Sequence, residues 1–102
     1  MNKYTELSDF EVNKKVAEKL GLAYEVTRYG VVTRMSNKEQ WREFNPCNNP
    51  ADAMPIIIEN GISMVRVNNT WSARQFNNHC IEINGDNYYR IAMEVYLLMN
   101  GK

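Results

Sequence analysis

Between Tyr88 and Met99 only Arg90 and Glu94 are plainly polar. The spacing predicts a helix, with Tyr88, Ile91, Ala92, Val95 and Met99 on one stripe. Tyr89, Met93, Tyr96 and Leu97 lie outside that stripe. A helix that is apolar most of the way round is buried on more than one side. The rest of the chain must therefore cover two of its faces, or a second copy must cover one. The second solution is expected here. Tyr89, Met93, Tyr96 and Leu97 are assigned to the interface of a homodimer, the commonest kind of oligomer. Formal net charge is zero, from 12 basic and 12 acidic residues, which weakens self-repulsion. A loop bearing Trp41 and Phe44 is the alternative cover.

The other elements are set by caps and turns. Ser8 and Glu11 make a capping box, Val12, Val16 and Leu20 a stripe widened by Phe10 and Ala17, and Gly21 a stop. Residues 22–35 are rich in Tyr, Val and Thr and read as strand with a turn at Tyr29-Gly30. Residues 37–46 read as a short helical turn and loop. A second helix begins at Asn49, with Pro50 in its first turn and Asp52 at its positive end. Its apolar face is Ala53, Met54, Ile57 and Ile58, Pro55 kinks it, and Gly61 ends it. Residues 62–67 and 70–76 form a hairpin around Asn68-Asn69, and residues 80–83 form a further strand. The expected architecture is α+β: one small, mainly antiparallel sheet packed with N- and C-terminal helices and one central helix, as a single domain over 1–102. A chain of 102 residues buries enough surface to need no disulfide or metal.

Little in the chain carries chemistry. Cys80 and His79 are adjacent, so on a strand they point to opposite faces; Cys47 with His79 remains possible as a dyad. Cys47, Asp52, His79 and Cys80 are the only plausible metal set, and they lack metal-binding spacing. No glycine pattern of a phosphate loop occurs. Asn49 opens a helix whose N–H groups could hold an anion, but Asp52 would repel one, so Asn49, Pro50, Asp52 and Pro55 read as structural. Glu39 and Glu43 would share a face if their segment were helical, where they read as solvated. Trp71, Arg74 and, across the hairpin, Arg66 combine a stacking ring with positive charge, as surfaces that bind single-stranded nucleic acid do. Trp71 and Phe76 have opposite parity, so one of them should face the core.

The run Cys47-Asn48-Asn49-Pro50-Ala51-Asp52-Ala53-Met54-Pro55-Ile56-Ile57, followed by Ile62-Ser63, resembles the NinX-like family of small temperate-phage and prophage proteins. The opening at 4–13 and the close at 90–97 are similar to that family too. The sequence departs at Met54, where the family often has an aromatic. The resemblance implies a phage origin and the host cytoplasm, and it brings no catalytic residue or cofactor. The expectation is a non-enzymatic accessory protein that binds an unknown host or phage protein. Single-stranded nucleic-acid binding by the 62–76 hairpin is second, and a small enzyme third. The N-terminus lacks a signal-peptide core, and the longest apolar run, residues 54–58, is too short to span a bilayer, so no membrane role is expected.

Overall fold

The first helix begins and ends on its capping residues. Ser8 Oγ accepts from the Glu11 N–H while Glu11 Oε1 accepts from the Ser8 N–H, and Gly21 closes the helix in the left-handed region at φ 76°. The computed structural model describes residues 2–77 and 80–100. Its elements are α1 (Asp9–Leu20), β1 (Ala23–Thr27), β2 (Gly30–Arg34), β3 (Arg42–Glu43), α2 (Pro50–Glu59), β4 (Ser63–Val67), β5 (Thr70–Gln75), β6 (Ile81–Gly85) and α3 (Tyr88–Asn100). This is an α+β fold. Its strands form two antiparallel three-stranded sheets, β1-β2-β3 and β4-β5-β6, where one was expected.

In the first sheet the turn sits one residue earlier than predicted. Thr27 pairs with Gly30, so Arg28 and Tyr29 make the turn. The Thr27 hydroxyl fixes it, accepting from the Tyr29 N–H and donating to the Gly30 carbonyl. The predicted helical turn over 37–46 is absent. Ser36 and Glu39 close a short turn instead, and Arg42–Glu43 pair with the edge of β2. Burial of Phe44, whose N–H donates to the Val31 carbonyl, holds that pairing in place. α1 packs across β1 and β2. Only Val12, Val16 and Ala17 of its predicted stripe are buried; Phe10 and Leu20 are exposed.

The second sheet rests on α3 through β5 and β6. Gly85 ends β6 so close to the helix that an added Cβ would lie 2.8 Å from Ile91 Cγ2. α1 and α2 pack on other sides of α3. Enclosure of α3 within its own chain corrects the expected dimer interface. Met93 is 0 % exposed, Leu97 1 % and Tyr96 5 %, and Tyr89 is half-buried. Met93, Tyr96 and Leu97 have almost no surface to offer a second copy, and Tyr89 keeps only part of its own. The covering is done by two helices and a sheet, with Phe44 contributing to the core and Trp41 left on the surface.

α2 has the predicted cap: Asn49 Oδ1 accepts from the Ala51 N–H, and Pro50 occupies the first turn. Its buried face is Ala53, Ile56 and Ile57. Ile58, assigned to that face, is 70 % exposed, because the helix is rotated to place the 53/56/57 row inward.

Candidate functional site

The structure does not bring Trp71, Arg66 and Arg74 together. Trp71 and Arg66 are register partners, and the Arg66 guanidinium lies 5.1 Å from the Trp71 ring centroid. Trp71 also meets Tyr88 edge to face at 4.8 Å, which places it on the side of α3. Arg74 has the opposite parity on β5. There its Nε donates to Ser72 Oγ and its Nη2 lies 3.5 Å from Glu82. The stacking ring and this cation thus serve different faces, and Arg74 already has an acidic partner. Phe76 is exposed. His79 lies outside the described residues. Glu39 and Glu43 share no helix face, since no helix forms there.

Cys47 is buried beside α1, and its N–H donates to Asn13 Oδ1 at 3.0 Å. Burial, reinforced by the nearby Asp9 charge, pushes its thiol from 9.0 up to about 12. It is fully protonated at neutral pH and is no nucleophile. Cys80 is exposed, and no cluster of metal-ligating side chains occurs among the described residues.

The sequence reading missed a polar network that passes through the Cys47–Asp52 run. Arg90 Nη1 donates to Asp9 Oδ1 at 2.6 Å and its Nε to Glu94 Oε2 at 2.7 Å. Its Nη2 donates to the carbonyls of Tyr4 and Leu7 at 2.9 and 2.8 Å. Asp9 Oδ2 accepts from Asn48, which also donates to Asn45 Oδ1. Asn13 donates to that same oxygen, and the Asn45 N–H donates to Asp52 Oδ2 at 2.9 Å. Burial works against the Arg90 charge, but bonds to Asp9 and Glu94 outweigh it and raise its pKa. Burial likewise works against the Asp9 charge, and is outweighed by bonds from Arg90 and Asn48, so its pKa is lowered. One signal could have exposed this. Two charges four residues apart in an otherwise apolar helix must be paired if that helix is enclosed.

Asp52 and Pro55 have a second role. With Ala51, Ile56 and Glu59 they form one wall of a groove of about 440 Å³. The opposite wall is the open end of the first sheet: Thr33, Arg34, Met35 and Arg42, with Leu20, Leu22 and Phe44 completing the lining. Three physical features stand out. Met35 is 74 % exposed at the rim and Leu20 is exposed as well, so apolar surface faces water. Pro55 has no N–H, so the Ala51 carbonyl at this wall lacks its usual partner four residues on. Arg34 stacks on Trp41, 4.3 Å from the ring centroid, and its buried Nε has no partner among the described residues. The groove therefore offers an apolar floor flanked by charged side chains, Arg34 and Arg42 on one wall and Asp52 and Glu59 on the other. Such a set has the chemistry to accommodate a polypeptide segment.

The family model described as "Bacteriophage P22, NinX" matches residues 3–100. No curated protein matches the chain.

Proposed function

Because the chain belongs to the Bacteriophage P22 NinX family, we propose that it is a non-enzymatic phage accessory protein that binds another protein in the host cytoplasm, through the groove between α2 and the first sheet. The observation that carries this reading is the exposed apolar rim at Met35 and Leu20 beside the charged side chains of Arg34, Arg42, Asp52 and Glu59 that line the groove. A short apolar segment laid in the groove would cover the first and pair with the second. The buried Cys47 thiol, held protonated, supports a binding role over acyl or thiol chemistry. Nucleic-acid binding by the hairpin loses support, since Trp71 and Arg74 serve different faces.

A photo-crosslinking phenylalanine analogue at position 35, introduced during phage induction, tests the reading. The expected result is a protein adduct at position 35 and none from a control at Glu82 on the second sheet. An adduct with nucleic acid, or equal adducts at both positions, would overturn it.

A further inference from the structure

The β1 strand is an edge of the first sheet, with no strand paired on its outer side among the described residues. Thr27 pairs with Gly30 across a two-residue turn, and Val31 gives its carbonyl to Phe44 on the β3 side. By antiparallel alternation, Tyr24 and Val26 turn their backbone N–H and C=O groups away from β2. No turn, loop or side-chain hydrogen bond of the described residues reaches those groups. The edge is also apolar where it is bare: Val26 is 50 % exposed and Tyr29, beside it at the hairpin tip, is 82 % exposed. The strand contains no proline and no inward-pointing charge of the kind that blunts an edge. β4, by contrast, carries Arg66 on its helix side, and β6 exposes no large apolar side chain among the described residues.

We infer that the β1 edge is a homodimer interface, in which two copies pair antiparallel about a two-fold axis through Val26 and join their first sheets into six strands. Charge selects the register. An axis at Glu25 would set two carboxylates directly opposite each other, which is destabilising. An axis at Tyr24 would bring together two Glu18 carboxylates, each 2.6 Å from a Tyr24 hydroxyl. The axis at Val26 avoids both. It sets Glu25 opposite Thr27 and Val26 opposite itself. It also sets Arg28 at the turn opposite Tyr24, and so toward Glu18. The surface is remote from α3 and makes no use of the α2 groove.

Sedimentation equilibrium at tens of micromolar tests the inference. Wild type is expected to be dimeric. Val26→Lys, at a half-exposed position, is expected to be a monomer with unchanged circular dichroism and a thermal midpoint that no longer rises with protein concentration, as that of the wild-type dimer does. Val65→Lys on the other sheet is expected to remain a dimer. A monomeric wild type, or a dimeric Val26→Lys, would overturn it. The register is tested in a Cys80→Ser background. There Val26→Cys should oxidise to covalent dimer in several-fold higher yield than Glu25→Cys, and equal yields would overturn the two-fold axis at Val26.

Discussion

Arg90 and Asp9 lie 81 positions apart in the chain and meet at 2.6 Å. The same guanidinium holds Glu94 and two carbonyls of the N-terminal turn, so one side chain fastens the segment before α1 to the face of α3. Its side chain is 13 % exposed.

Arg90→Met should therefore destabilise the fold by about 3 kcal/mol, because it leaves the buried Glu94 carboxylate and two carbonyls without the cation that satisfied them. Urea denaturation measures this. A loss under about 1 kcal/mol, the usual value of an exposed ion pair, would show that the network is incidental.

Asp9 predicts the acid side of the stability curve. Its folded pKa lies below its ordinary value of 3.8, so the unfolded chain binds the proton more readily. The stabilisation is present above pH 3.8 and is lost as pH falls through the folded pKa. Thermal midpoints from pH 6 to 2.5 should fall more steeply for wild type than for Asp9→Asn, which lacks this contribution at every pH.

Cys47 predicts the alkaline side. Its thiol is raised from 9.0 to about 12, so its contribution is complete below pH 9 and is lost as pH rises toward 12. At pH 8, a thiol reagent should label Cys80 alone in native protein and both cysteines in denaturant. Rapid labelling of two thiols in native protein would contradict the burial of Cys47.

Leu97→Glu should unfold the protein. A carboxylate placed at a position 1 % exposed, amid the packing of α3, has no partner there. Circular dichroism and sedimentation together decide it. A folded monomer would restore Leu97 to an interface and contradict the enclosure of α3.

Asn49→Ala should cost about 1 kcal/mol, the ordinary loss of a helix cap. No measurable loss in chemical denaturation would mean that the Asn49 bond to Ala51 contributes nothing.

Local chemistry was legible where a residue's role is settled by its neighbours in sequence. Ser8, Glu11, Gly21, Asn49 and Pro50 sit where the capping rules put them, and the Asn68-Asn69 hairpin forms with Asn68 at φ 57°. What required three dimensions was misread. The surplus apolar face of α3 implied a partner, but sequence distance conceals that α1, α2 and the second sheet converge on it. Arg66 and Arg74 look equivalent along a hairpin, yet the pleat and the neighbouring Glu82 give them different faces and different partners. The groove was invisible for the same reason. Its walls come from residues 20–44 and 51–59, which no short-range pattern links.

The fastening of the N-terminal turn by Arg90 has a consequence for synthesis. The carbonyls of Tyr4 and Leu7 receive their donor 86 and 83 residues later in the chain. α1 can nucleate on its own caps as it leaves the ribosome, but the segment before it has only its own turn bonds until α3 has also emerged. Closure of the fold is thus a late event in translation. Early-translated residues, the turn at 2–8 among them, must wait on the last helix, and a chain terminated before position 90 leaves them without their clasp.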